Sequence, residues 1–74
     1  MTAFSELLTD LRNRKRVTAW ELARTISVSE ETVRRWEAGI TIPSTRNVAA
    51  IAEALNLTAR DRKRVADLYT WSSS

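Results

Sequence analysis

The sequence predicts an all-α fold, and three observations support that prediction. Apolar residues recur three and four positions apart in five stretches of the 74-residue chain, which is the period of amphipathic helices. No stretch alternates apolar and polar residues as a half-buried strand does. Four of the five stretches follow a Ser or Thr that suits a helix N-cap. We therefore expect one compact five-helix domain over residues 1–71, with a disordered tail at 72–74.

The first two helices are predicted from their apolar faces. The first should run from Ala3 to Lys15, and its apolar positions are Phe4, Leu7, Leu8 and Leu11. The second should begin after Thr18 as N-cap and break at the polar turn Ser27-Val28-Ser29. Its apolar face is predicted at Ala19, Leu22, Ala23 and Ile26.

The third helix is predicted at about residues 30–38, after Ser29 as N-cap. Glu30 and Glu31 would lie in its first turn, where the helix dipole favours negative charge, and Gly39 suits a left-handed end. Val33 and Trp36 are three apart and share one face, which should pack against the second helix. The predicted core at this junction is Leu22, Ala23, Ile26, Val33 and Trp36.

The fourth and fifth helices complete the bundle. Pro43-Ser44 opens the fourth, whose apolar face is Val48, Ile51, Ala52 and Leu55, and Asn56 suits its left-handed end. Thr58 caps the fifth, whose apolar stripe is Val65, Leu68 and Tyr69. Two interpretations of this stripe remain open: it completes the monomer core, or together with Trp71 it forms a dimer surface.

The residue types present exclude several functional classes. With no Cys and no His, the chain has no disulfide framework, no thiolate or imidazole metal site, and neither the thiol nor the imidazole that enzymes often use as nucleophile and general base. We expect a protein that is not an enzyme and needs neither a metal nor a cofactor. The longest apolar run, Val48 to Ala52, is far too short to span a bilayer. A cytoplasmic protein is therefore expected.

The basic residues are clustered. The net charge is +3, with ten Arg against two Lys, and Arg suits bidentate contacts to phosphate and guanine. A solvated surface or GC-rich coding would also produce such a bias, but the clustering favours nucleic acid. The clusters are Arg12 with Arg14 to Arg16, Arg34 with Arg35, and Arg60 with Arg62 to Arg64.

The segment from Val17 to Pro43 has the layout of a helix-turn-helix, in which the second helix enters the DNA major groove. It resembles the Cro and phage-repressor (XRE-type, lambda-repressor-like) family. The resemblance rests on Val17-Thr18, Leu22-Ala23, Val28-Ser29, Val33, Trp36, Glu37-Ala38-Gly39 and Pro43-Ser44. The chain departs from that pattern at Ala19, where relatives often carry Gln, and at Ser27, where Gly is usual.

The resemblance implies which side chains face the DNA. Relatives touch base edges with the first two residues of the third helix and the residue four to five later, here Glu30, Glu31 and Arg35; Thr32 and Arg34 flank them. Arg35 would bind guanine O6 and N7, and a glutamate would accept from cytosine N4. An equally supported interpretation is that the two acids stabilise the helix dipole and pair with arginines four residues on.

Positions around the motif give further candidates. Phosphate contacts are expected from Arg14, Arg16, Thr18, Thr41 and Arg46. Relatives form an internal ion pair at the positions of Arg12 and Glu37, and their loop suggests that Ile40 lies near the DNA backbone while Ile42 packs inside. For Trp36 we favour packing over base stacking, since duplex DNA offers no exposed base face. For Trp20, half-buried packing, a partner contact and an indole bond to phosphate all remain open.

Two functions follow from these observations. The leading hypothesis is a sequence-specific transcription regulator, most simply a repressor, that binds double-stranded DNA as a homodimer on a palindromic operator. It would be bacterial or phage-encoded. The alternative is a protein-interaction module, such as an antitoxin or adaptor, in which Trp20 and Trp71 grip a partner and DNA binding is secondary.

Overall fold

Five α-helices form the domain, as the sequence predicts. The computed structural model describes residues 3–73, with side chains for residues 4–69, and within that range no strand occurs. The helices are α1 (Ala3–Arg14), α2 (Ala19–Ile26), α3 (Glu30–Glu37), α4 (Thr45–Ala54) and α5 (Ala59–Ser73).

The ends of the helices differ from the prediction by a residue or more. Helix α1 ends at Arg14 rather than at Lys15. The bounds of α5 reach Ser73, beyond the predicted end of the domain at residue 71. Ser74 and the side chain of Trp71 lie outside the described residues, and the division into a domain and a tail stays a prediction.

Hydroxyl side chains start four of the helices. Thr18 accepts a hydrogen bond from the Glu21 N–H, and the Glu21 carboxylate accepts one from the Thr18 N–H, so α2 opens with a reciprocal capping box. Ser29, Ser44 and Thr58 each accept a bond from the N–H three residues on. These bonds satisfy N–H groups that a helix cannot satisfy itself, and they set where α2 to α5 begin.

Left-handed residues end four of the helical segments. Gly39 (φ 76°) follows α3 and Asn56 (φ 50°) follows α4, as predicted. Ser27 (φ 63°) ends α2, and its N–H bonds the carbonyls of the last turn. Arg16 (φ 58°) ends α1, where the Val17 N–H reaches back to the Arg12 carbonyl at 3.1 Å. Neither Arg nor Ser is a preferred residue for this conformation.

The core draws buried residues from all five helices. Helix α2 packs against α3 and α4, and α1 packs against α3 and α5. Leu11, Leu22 and Val33 are almost completely inaccessible to solvent. Of the core predicted at the α2–α3 junction, Leu22, Ala23, Val33 and Trp36 are buried and Ile26 is half-buried against them.

Ile42 is more exposed than the sequence predicts. Ile42 was expected to pack inside, but its side chain is 42% exposed. The physical reason is that the next residue, Pro43, is the buried one and takes the inward position at the start of α4. Ile40 is 71% exposed. The loop after α3 therefore presents two apolar side chains to solvent.

The stripe on α5 completes the monomer core. Val65 is buried, and Leu68 and Tyr69 pack against the cluster as half-buried residues. The Phe4 and Tyr69 rings meet edge-on with centroids 5.8 Å apart. Arg62 also ties α5 to α4 and to the loop between them, because its Nη2 lies 3.5 Å from the Ala52 carbonyl oxygen and its Nε donates to the Leu57 carbonyl at 3.0 Å. This packing favours the first of the two interpretations of the stripe.

Two negative findings concern the described part of the chain. Its helices include none that is both long and apolar enough to cross a membrane. The same residues contain no group of three or more carboxylates that could hold a metal ion.

Candidate nucleic-acid interface

Helices α2 and α3 form the unit that the sequence predicts as a helix-turn-helix. Helix α2 ends at Ile26, residues 27–29 make the turn, and α3 begins at Glu30. The Val28 N–H bonds the Ala23 carbonyl at 2.9 Å, which closes the turn onto α2. Val33 and Trp36 then anchor α3 on the core. With only eight residues, α3 depends on this packing for its stability and orientation.

The outward face of α3 follows from the anchored one. At 100° per residue, Glu31 and Arg35 lie roughly opposite Val33 and Trp36. Both side chains are exposed, and an Arg35 guanidinium nitrogen lies 3.0 Å from a Glu31 carboxylate oxygen. The pair brings a hydrogen-bond acceptor and a donor together at the point of α3 farthest from the core.

The flanking residues of α3 are also engaged with each other. Arg34 Nε donates to Glu30 Oε2 at 2.8 Å, and a second nitrogen of Arg34 bonds the same oxygen. The Thr32 hydroxyl lies 2.7 Å from the Ser29 hydroxyl, so Thr32 reinforces the N-cap. Both acids thus form the supporting pairs that the sequence leaves open for them. Base reading by Glu30, Glu31, Thr32, Arg34 and Arg35 stays a prediction.

A largely buried ion pair fixes the far end of α3 to α1. Arg12 Nε lies 2.6 Å from Glu37 Oε2, and a second guanidinium nitrogen lies 3.0 Å from Oε1. The side chains are only 16% and 13% exposed. The hydrogen bonding that Arg12 donates to Glu37 raises the pKa of Arg12 above its ordinary value, against the opposing effect of burial. The structure places Arg12 and Glu37 together, as the resemblance implies.

Two further contacts strengthen this pair, and sequence reasoning missed both. The Thr9 hydroxyl lies 3.2 Å from Glu37 Oε1, and Arg12 Nη1 donates to the Val17 carbonyl at 2.8 Å. Thr9 is one turn before Arg12 on α1, so its position on the same face was readable from the spacing. Together these contacts join α1, the loop before α2 and the end of α3.

Comparison with known proteins agrees with this geometry. The family model described as a helix-turn-helix domain matches residues 3–65. The chain belongs to the helix-turn-helix domain family. The match is consistent with the resemblance to the XRE-type proteins, and it covers all of α1 to α4 and the start of α5. No curated protein and no solved structure gave a significant match.

Membership of this family has a coarse functional meaning. Helix-turn-helix domains are typical of DNA-binding regulators, in which the second helix of the motif enters the major groove and the first crosses the backbone. They are not typically enzymes. The match spans the whole α2–α3 unit, in which α3 is the second helix.

The residues predicted to contact phosphate lie around the helix-turn-helix and differ in whether their side chains already have a bonding partner. Arg16, Thr41 and Arg46 are exposed, and within the described structure neither arginine has an ion-pair partner. Arg14 is exposed but lies 3.4 Å from Asp10. The Thr18 hydroxyl is occupied in the capping box. Phosphate binding by these five residues stays a prediction.

Trp20 and Arg24 form an exposed pair on α2. The Arg24 guanidinium carbon lies 5.2 Å from the centroid of the Trp20 ring, a cation–π contact. Trp20 is 53% exposed, and Arg24 is exposed as well. Sequence reasoning weighed Trp20 and overlooked Arg24. The signal was present, because residues four apart on a helix are neighbours.

Proposed function

We propose that the protein is a sequence-specific regulator of transcription that binds double-stranded DNA and acts as a repressor. In this proposal α3 lies in the major groove and two copies bind a palindromic operator. The observation that carries it is the division of α3 into two faces. Val33 and Trp36 are buried, while Glu31 and Arg35 are exposed at the opposite side.

The net charge of α3 indicates that sequence readout and affinity for the DNA backbone come from different residues. The helix carries three carboxylates against two guanidinium groups, so it has no net positive charge to offer to phosphate. Sequence readout comes from base edges, and affinity comes from cations that neutralise the backbone. In this protein those cations must lie outside α3. Arg16 and Arg46, exposed on either side of the motif, suit that role.

The pair formed by Glu31 and Arg35 does not prevent readout. Exposed pairs four residues apart on a helix contribute only about 0.3–0.5 kcal/mol. A bidentate contact from Arg to guanine is worth about 1–3 kcal/mol of discrimination. Exchanging one for the other is therefore favourable, with Arg35 on guanine and a glutamate on the cytosine N4 amino group. A carboxylate accepts only, and it would be repelled by guanine O6 and thymine O4.

We further propose a two-fold dimer, because one module touches too little DNA for useful specificity. A symmetric dimer presents two copies of α3 about 34 Å apart, one turn of B-DNA. Leu68 and Tyr69 use part of their surface in the monomer core. A second copy would contact their exposed edges on α5 together with Trp71, whose side chain lies outside the described residues. Such a regulator would act in the cytoplasm.

The decisive experiment is selection of bound sites from random double-stranded DNA. We expect enrichment of a palindrome whose half-sites are separated by about one helical turn. Arg35→Ala should then weaken binding to that site by about 1–3 kcal/mol and relax the preference at one base pair. Glu31→Gln should lower the ratio of specific to non-specific binding at fixed salt. Selection that enriches no sequence would contradict the proposal.

The second candidate function is a protein-interaction module. The exposed apolar side chains Trp20, Ile40 and Ile42 favour it, since such residues often mark protein contacts. The two candidates differ in their response to salt. DNA binding releases counterions and weakens steeply with salt, whereas a largely apolar protein contact does not. A titration of DNA binding at several salt concentrations separates them.

A further inference from the structure

The cation–π pair on α2 lies beside the start of the recognition helix. Trp20 and Arg24 line an open groove of about 350 Å³ together with Ala23, the N-cap Ser29 and the first residue of α3, Glu30. The groove therefore joins the outer face of α2 to the end of α3 that reaches deepest toward base edges in proteins of this architecture. Its position makes the pair a neighbour of any DNA that α3 engages.

Arg24 differs from the arginines of α3 in its charge environment. Arg34 and Arg35 are each paired with a carboxylate four residues before them. Arg24 has no ion-pair partner among the described residues, and it is the only cation of α2. Arg24 therefore carries an unpaired positive charge beside α3, a helix that has no net positive charge of its own.

The ring of Trp20 gives this charge a fixed position. Stacking on an indole leaves the edge of a guanidinium, with its N–H donors, free to bond an acceptor in its own plane. It also restricts a side chain that would otherwise lose much rotamer freedom on binding. An exposed Trp on a DNA-proximal helix is otherwise hard to account for, because 53% of its surface remains in water.

We infer that Arg24, held by Trp20, binds a backbone phosphate of the DNA at the edge of the major groove. This inference rests on the proposed function and adds a contact to it. The first helix of a helix-turn-helix crosses the backbone while the second enters the groove. A cation on the outer face of α2, beside the first turn of α3, therefore faces a phosphate rather than a base. Trp20 acts as a positioning residue for that contact.

The test compares salt dependence for three variants on the selected site and on scrambled DNA. Arg24→Gln should reduce the slope of log affinity against log salt by about one, which is about an eightfold loss at 0.1 M salt, on both DNAs alike. Trp20→Ala keeps the charge and should lose about two- to fivefold in affinity with little change of slope. Trp20→Phe should lie between Trp20→Ala and wild type.

The matched control is Arg60→Gln, which removes another exposed arginine without an ion-pair partner among the described residues, from α5, a helix that packs against α1. It should change the slope by clearly less than Arg24→Gln. Equal slopes for these two variants would overturn the assignment of Arg24 even though the wild-type protein binds DNA. Equal affinities for Trp20→Ala and wild type would overturn the role of Trp20. Absence of salt-dependent binding by the wild type would instead refute the proposed function itself.

Discussion

Replacing Glu37 by Gln tests how α3 is held in place. The Glu37 carboxylate accepts from two nitrogens of Arg12 and from the Thr9 hydroxyl. Gln keeps the shape but removes the charge, so Arg12 is left as a largely buried cation without its counter-ion. Breaking a fully buried pair in this way costs about 3–5 kcal/mol. Because the two side chains are still 16% and 13% exposed, we expect Glu37→Gln to lower the free energy of unfolding by about 2–4 kcal/mol.

That loss is large for a domain of this size. A chain of 74 residues has a total stability of roughly 4–11 kcal/mol. The melting temperature should fall by roughly 10–25 °C. Urea unfolding followed by circular dichroism measures the change directly, since all regular secondary structure of the described residues is helical.

A matched control and a double substitution make the result interpretable. Glu31→Gln removes an exposed pair on the same helix and should cost only about 0.3–0.5 kcal/mol. Replacing both Arg12 and Glu37 by Met should lower the free energy of unfolding by at least about 1 kcal/mol less than the summed losses of Arg12→Met and Glu37→Met made singly. If Glu37→Gln destabilises no more than Glu31→Gln does, the pair does not hold α3 and our interpretation of it is refuted.

Three further predictions follow from the same structure. Trp36→Ala should cost about 3–5 kcal/mol because the side chain is 3% exposed, and Trp36→Phe should cost less; lost DNA affinity at unchanged thermal stability would show a different role. Arg16→Gly should raise stability by up to about 1 kcal/mol, because Gly adopts the left-handed conformation of this position at less cost than Arg. The same change should lower the slope of log DNA affinity against log salt by about one, since it removes a cation. Ser27→Gly should also raise stability but leave that slope unchanged. Hydrogen bonds from the Thr18 N–H and hydroxyl lower the pKa of Glu21 below its ordinary value of 4.5. Since the folded-state value is the lower one, this stabilisation is present above pH 4.5 and is lost as the pH falls through the folded value. The urea midpoints of wild type and Glu21→Gln should therefore converge in acid, and a constant difference at all pH values would contradict this.

Local patterns predicted most of the fold, because they depend on residue types with strong preferences. Ser29 and Ser44 cap helices since their hydroxyls reach a nearby N–H. Gly39 and Asn56 take left-handed conformations at little cost. The spacing of Val33 and Trp36 identified their buried face in advance. In each case the determining contact lies within a few residues of the chain.

Features that depend on distant contacts or on several competing residues were harder to predict. The ion pair between Arg12 and Glu37 joins residues 25 apart, and only the family resemblance pointed to it. Ile42 and Pro43 compete for one inward position, and no periodicity decides between them in a loop. The left-handed Arg16 was also not foreseeable, since Arg has no preference for that conformation.

The arrangement of α3 separates the residues that hold the helix from those that face outward. Its N-terminus is fixed by the Ser29 hydroxyl, its middle by Val33 and Trp36, and its end by the pair of Glu37 with Arg12. The remaining charged residues of the helix pair only with one another, at the surface. Exposed pairs of this kind add little to stability. The outward residues of α3 can therefore vary in sequence while the fold that positions the helix stays unchanged, and under the proposed function such variation would change the preferred DNA site.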